Sequence, residues 1–267
     1  MVSAVVNEMS LRWTIVTVVL NGEDFIEHCI QSVQQQSLKA QHIIQDGCST
    51  DNTLSKVRTL IASGCENIML ESEPDLGLYD AMNKGVVKAK SEFVGILNSD
   101  DFYNKSDILE TVASVFDSNP TIDLVCCGVA HLGFGSTLDR VARLRAGRFR
   151  LKDLLAGNQL PHPGIFARRN VFDTVQFDPS YKISADFKFQ LQCLVDSRFN
   201  IMCTEDVGVT MRAGGISQAG WTPFLIGKRE IVRSLTEVLG ISTLRGWFIV
   251  VLNIFRKIGE ISVKSKA

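Results

Sequence analysis

Residues 93–97 read Phe-Val-Gly-Ile-Leu, and the run closes on Asn98-Ser99-Asp100-Asp101. An apolar stretch of that length suits a strand buried on both faces, as in a parallel sheet. Residues 14–20, Thr-Ile-Val-Thr-Val-Val-Leu, are β-branched and almost wholly apolar, and read the same way. Shorter strands are expected at 41–45 and 68–70. Helical spacing fills the gaps between them. Phe25, Ile26, Cys29, Ile30 and Val33 share one face, as do Leu54, Val57, Leu60 and Ile61; Tyr79, Met82, Val86 and Val87 follow on 77–89. Strand–helix alternation at this pitch predicts an α/β fold, a mainly parallel sheet with helices on both faces.

The acidic end of the 93–97 strand carries the chemistry. Adjacent carboxylates at the end of a buried strand are costly unless a cation offsets them. In open α/β sheets ligands bind at the carboxyl ends of the strands. Mg²⁺ is commonly held by one or two carboxylates plus substrate phosphates. Asp100 and Asp101 therefore read as a cation site gripping a polyphosphate, or else as a plain strand-end turn, where Asn, Ser and Asp are ordinary. The first strand is followed by Asn21-Gly22-Glu23-Asp24. Neither GxGxxG nor GxxxxGK[ST] is present, so any phosphate must be gripped by other means.

The 267 residues fit one large domain, or one domain with an appendage. A net charge of −1 argues against a general nucleic-acid binder. Seven cysteines without CxxC or zinc spacing read as free thiols of a reducing cytosol. Residues 1–10 lack a basic region followed by an apolar core, so no secretory signal is expected. Charge is uneven. Residues 220–267 hold eight Lys/Arg against three Glu, so this segment is +5 and the remainder −6. Arg140, Arg143, Arg145, Arg148, Arg150 and Lys152 read as a solvated face or as a patch for phosphates or anionic lipid.

Further along, 106–116 and 123–130 read as a helix and a strand. Pro161-His162-Pro163-Gly164 is a stiff loop before a strand at 165–167. Ser184 is an expected N-cap for a helix carrying Phe187, Phe189, Leu191 and Leu194. Asp186 then lies in its first turn, where the helix dipole stabilises a carboxylate. Gly214-Gly215-Ile216-Ser217 is a connector or a loop that orders over a ligand. Helices are expected at 221–239 and 244–258. The run Trp247 to Leu252 is too short for a bilayer, which takes roughly 20 residues. It suits a helix packed on the domain, or an interfacial helix on an anionic inner leaflet.

In these residues the chain resembles the family-2 glycosyltransferases of the GT-A fold, in particular bacterial transferases of surface-polysaccharide assembly. The matching pieces are Thr-Val-Val-Leu-Asn-Gly (17–22), Gln-Asp-Gly-Cys-Ser-Thr-Asp-Asn-Thr (45–53) and Glu-Pro-Asp-Leu-Gly-Leu-Tyr-Asp-Ala-Met-Asn-Lys-Gly (73–85). Leu-Asn-Ser-Asp-Asp (97–101), His162-Pro163, Ser-Ala-Asp (184–186) and Gly-Gly-Ile-Ser (214–217) complete them, in the family's order. Gln45 and Ala185 depart from the family's more usual acids, and Asn98 stands where Asp is common. No Gln-x-x-Arg-Trp is present, which argues against a processive synthase.

The resemblance implies a GT-A (Rossmann-like) mixed sheet over 1–219, with a nucleotide-binding half at 12–103 and an acceptor-side half at 104–219. The C-terminal helical segment, 220–267, stands apart from that domain, packed on it or resting on the membrane. It implies transfer from a UDP-, GDP- or dTDP-sugar to a lipid-linked saccharide with inversion, on the cytoplasmic side. Asp46 would bind the donor base beside the backbone of Thr17, Val18 and Asn21. Asp100 would meet the ribose or the metal, and Asp101 would bind Mn²⁺ or Mg²⁺. Tyr79, Asn83 and Lys84 would border the donor. Asp186 would be the general base, with His162 its competitor. A nucleotidyltransferase-like enzyme and a silent nucleotide-sugar binder are the alternatives. The first usually has a Gly-rich basic loop, which Asn21 to Asp24 does not supply. The second fits poorly with Asp46, Asp100, Asp101 and Asp186 all intact.

Overall fold

The computed structural model describes residues 11–133, 137–195, 199–214 and 220–264, with side chains described through Arg256. The readings of residues 1–10 and of Gly215, Ile216 and Ser217 lie outside the described residues.

The first half alternates as the sequence predicts: β1 (Trp13–Val19), α1 (Ile26–Gln34), β2 (Ala40–Asp46), α2 (Thr53–Ala62), β3 (Ile68–Ser72), α3 (Leu78–Val87) and β4 (Phe93–Asn98). Next come β5 (Phe102–Tyr103), α4 (Ile108–Ser118), β6 (Leu124–Leu132), β7 (Leu138–Ala142), β8 (Gly147–Phe149) and α5 (Leu151–Leu155). A single 3₁₀ turn, His162–Gly164, leads into β9 (Ile165–Arg168), α6 (Arg169–Thr174), α7 (Ala185–Val195) and β10 (Ile201–Arg212). Two long helices, α8 (Trp221–Leu239) and α9 (Thr243–Lys264), end the described chain.

The sheet runs β3-β2-β1-β4-β9-β6-β10-β5, with β7 on β6 and β8 on β10. Strands β3, β2, β1 and β4 are mutually parallel, whereas β9 lies antiparallel between β4 and β6. The sheet is thus mixed, with its parallel half at the amino end of the chain. Side chains alternate between two cores. Val16, Val18, Ile43 and Met82 pack under α3 on one face. A side chain at Gly85 would collide with Val16, so only glycine lets α3 approach β1 this closely. Trp13, Phe93, Phe116 and Phe166 fill the other face and are fully buried. Each contributes about 1.5–3 kcal/mol of apolar transfer, and Phe93 stacks on Phe116 with centroids 4.4 Å apart.

Three places refine the sequence reading. β10 was not foreseen, because Glu205 and Asp206 break its apolar pattern; the ladder with β6 shifts register between Cys203 and Val207. Ser184 directly precedes α7 and its carbonyl accepts the Lys188 N–H at 3.2 Å, while its hydroxyl donates to the Gly227 carbonyl at 3.2 Å. The basic run at 140–152 spans two strands and a helix start, and all six cations are exposed, in line with the solvated reading.

The C-terminal helices pack on the domain, the first of the two alternatives drawn for them. Val232, Leu235 and Val250 are buried against Leu154, Phe187 and Leu191. The outer surface remains apolar: Leu244, Phe248, Leu252 and Phe255 are all more than half exposed. Among the described residues no helix is long and apolar enough to cross a membrane.

Candidate active site

The carboxyl ends of β2 and β4 flank that of β1, with Asp46 opposite Val19 and Asn98 opposite Val18. Asp46 and the acidic pair after Asn98 therefore lie at one sheet edge, about two strand spacings or ~10 Å apart. Asp46 is fully buried. Its Oδ2 accepts the Ser49 backbone N–H at 3.0 Å and the Ser72 hydroxyl at 2.7 Å. Its Oδ1 has no partner among the described residues. A buried acceptor left bare costs about 1–3 kcal/mol, which marks a place for an incoming donor group.

The loops after β1 and β2 are tied to each other. Asn21, with φ of 51°, donates its N–H to Ser49 Oγ at 2.7 Å and accepts from the Thr50 N–H at 2.9 Å. Asn tolerates this left-handed conformation better than most residues. Glu23 N–H donates to Asp51 at 3.1 Å, and Asp51 also accepts the Thr53 N–H at the start of α2. Thr17 and Val18 are buried, and the Thr17 side chain turns inward to His42 Nε2 at 2.9 Å. Only the backbone of β1 can border a ligand there.

Across β1, Asp101 is 2% exposed. Asn98 Nδ2 donates to its Oδ2 at 3.1 Å. Burial, then the charge of Asp100, holds the Asp101 carboxyl well above the usual range; burial raises Asp100 too. Arg212 offsets part of this, held between the Phe25 and Phe102 rings and bonded to His28 Nδ1 at 3.0 Å. Asn98 Oδ1 is another buried acceptor without a partner among the described residues. Two proton-hungry carboxylates beside a bare amide oxygen form a hard oxygen set, which suits Mg²⁺ or Mn²⁺. No group of three His, Cys, Asp or Glu gathers among the described residues, so further ligands would come from phosphate and water.

A small cavity of about 10 Å³ lies beside this edge, lined by Ile96 of β4, His162, Ile165, Phe172, Phe177, Asp186 and Phe189. The two candidate bases thus share one wall. Burial raises the Asp186 carboxyl to about 6, against opposing hydrogen bonds from the Phe187 N–H and from Gln159 Nε2, each at 2.8 Å. Burial lowers His162 to about 4, so it is neutral at pH 7, and its Nε2 has no partner among the described residues.

Tyr79, Asn83 and Lys84 do not present free side chains. Tyr79 donates to the Ile183 carbonyl at 2.7 Å, and Asn83 bonds both the carbonyl and N–H of Phe177. Lys84 pairs with Asp80 at 3.0 Å and reaches the Pro74 carbonyl. The Tyr79 and Asn83 contacts tie α3 to the segment entering α7, whereas those of Lys84 stay within α3 and the loop before it. That segment is held from its other side by Glu230 of α8, which accepts the N–H groups of Lys182, Ile183 and Ser184 at 2.7, 2.9 and 2.8 Å. Gln159, Glu230 and Arg212 were not singled out from sequence. Only Arg212 had a local signal, two residues before the Gly214 motif.

The glycosyl transferase family 2 model matches residues 14–175. The chain belongs to that family. A PGL/p-HBAD biosynthesis glycosyltransferase of Mycobacterium bovis is 29% identical over 184 residues, 68% of this chain and 69% of its own. An uncharacterized glycosyltransferase of Mycobacterium tuberculosis is 30% identical over 202 residues, 71% of this chain and 72% of its own. S. aureus TarS, solved with UDP-GlcNAc, matches with a TM-score of 0.69 at 17% identity, over 90% of this chain and 70% of its own. The mannosyltransferase PcManGT of Pyrobaculum calidifontis, solved with GDP-Man and Mn²⁺, matches at 0.62 and 16%, over 86% and 65%. The fold is GT-A, and this family-2 protein is a glycosyltransferase.

Proposed function

We propose that this glycosyltransferase moves a sugar from a nucleotide-diphosphate sugar to a hydroxyl of a lipid-linked glycan, with inversion, in bacterial surface-polysaccharide synthesis. The observation that carries the donor reading is the bare, buried Asp46 Oδ1 across β1 from the Asp100/Asp101 pair. The ligands of the two solved neighbours, UDP-GlcNAc and GDP-Man with Mn²⁺, support it.

In this reading Asp46 accepts an N–H of the base, beside the backbone of Thr17, Val18 and Asn21. Asp100 meets the ribose or the cation, and Asp101 holds Mn²⁺ or Mg²⁺. A cation bound there supplies Lewis-acid stabilisation of the charge that builds on the diphosphate leaving group. Asp186 takes the proton of the acceptor hydroxyl as the new bond forms. Its raised proton affinity suits a base working near neutral pH. The hydroxyl so activated attacks opposite the leaving group in a single displacement, which gives inversion. His162 is neutral and contacts the acceptor or the sugar. Tyr79 and Asn83 act by fixing α3 against the acceptor side, and Lys84 borders the donor. Residues 12–103 form the nucleotide half and 104–219 the acceptor half. The apolar outer surface of α9, with Arg245 and Arg256 on the same helix, rests on the anionic inner leaflet.

A thermal-shift screen with UDP-, GDP- and dTDP-sugars, with and without Mn²⁺, tests the donor reading. One nucleotide class should stabilise the protein, more so with Mn²⁺. No shift with any of them would refute it.

A further inference from the structure

A second, larger cavity of about 70 Å³ lies between α5, α7, α8 and α9. Its walls are mostly apolar, formed by Leu154, Leu155, Phe187, Ile231, Leu235 and Val250 among others, and Gln159 and Lys228 add polar groups. Ligand pockets have this character, apolar walls carrying a few placed polar groups. Its position is the informative feature. Gln159 lines this cavity and donates to Asp186, which lines the other one. Phe187, the next residue, faces the larger space. One side chain's breadth therefore separates an apolar chamber from the proposed base.

We infer that this chamber binds the hydrocarbon body of the acceptor. The reacting hydroxyl, being close to Asp186, must then sit on that body or on the first sugar attached to it. A hydroxyl far out on a long polar glycan would leave the chamber without a use. The acceptor is accordingly an early, short glycolipid or an apolar aglycone. This inference rests on Asp186 marking the acceptor side of the site.

The test uses the full chain and n-alkyl β-D-glucosides, from methyl to decyl, below their micellar concentrations. Binding should tighten roughly threefold for each added methylene until the chamber is full. Ile231→Trp and Leu155→Trp fill the chamber from two different helices and should flatten that dependence. UDP and GDP binding, read in the same samples, should persist in both variants. A flat series in the unmodified protein overturns the inference, and so does a dependence that survives both fillings, which would assign alkyl binding to the exposed α9 surface. Loss of nucleotide binding would instead count against the donor reading and leave the alkyl result to be judged separately.

Discussion

Glu230 on α8 accepts the backbone N–H of Ser184 at 2.8 Å, two residues before Asp186. The same carboxylate takes the N–H groups of Lys182 and Ile183, so three consecutive donors converge on a side chain that is 9% exposed. The C-terminal helices thereby fix the position of the proposed base. Glu230→Gln turns one oxygen into a donor that faces a donor. It should cost about 1.5–3 kcal/mol of stability, read by urea denaturation. It should also lower kcat while leaving nucleotide affinity unchanged. Equal loss of both would mean that Glu230 has only a general structural role.

The pH profile of transfer should show an acid limb. Asp186 acts as a base only when ionised, and burial raises it to about 6, so the rate should climb as pH passes through that value. Gln159 donates to the ionised form and favours it. Gln159→Ala should therefore move the limb to higher pH. Glu230→Gln removes a negative charge that disfavours ionisation, and should move the limb slightly lower. Asp186→Asn should lose about 10²–10⁴-fold in rate with donor binding intact. A limb that stays in place in all three variants would assign the base elsewhere, with His162 next to test.

The parallel half of the sheet was legible because β1 and β4 are buried apolar runs and a helical period separates each strand from the next. Asp46, Asp100, Asp101 and Asp186 were legible because each follows or opens such an element. What sequence did not reveal was long-range pairing. Glu230 lies 46 residues from Ser184, and Gln159 lies 27 from Asp186. Neither has a periodic or motif signature, since a side chain that bonds a distant backbone obeys no local spacing. β10 was hidden for a related reason. Its acidic pair sits where the ladder with β6 slips, so the alternation that would have announced a strand is broken at that point.

Asp46→Asn separates the fold from ligand binding. The amide oxygen can still accept from Ser49 and Ser72, which places the NH₂ where the bare Oδ1 now stands. An acceptor aimed at the donor base becomes a donor. Nucleotide affinity should fall roughly ten- to hundredfold, with thermal stability nearly unchanged. Calorimetry with UDP and GDP checks this, and unaltered affinity would remove Asp46 from the base site.

Phe248 and Leu252 are one helical turn apart on α9 and lie 68% and 56% exposed. A Phe248→Glu, Leu252→Glu pair leaves the buried Val250 face in place. The native protein should sediment with anionic vesicles and the pair should not. Equal sedimentation of the two would argue that this surface is simply solvated or meets another protein.

Cation binding should be coupled to proton release. Asp101 and Asp100 both hold their protons more tightly than ordinary carboxyls, because burial disfavours the charged forms. A divalent cation competes for the same oxygens and needs them ionised. Mn²⁺ should therefore tighten nucleotide-diphosphate binding more at pH 7.5 than at pH 5, and calorimetry in buffers of different ionisation heat should register protons released. Asp101→Asn keeps the bond from Asn98 within reach but removes one charge. It should abolish the Mn²⁺-dependent gain while sparing binding of the free nucleoside, which has no diphosphate for a cation to hold. A Mn²⁺ gain that survives in Asp101→Asn, or that is independent of pH, would mean that the acidic pair ends its strand without holding a metal.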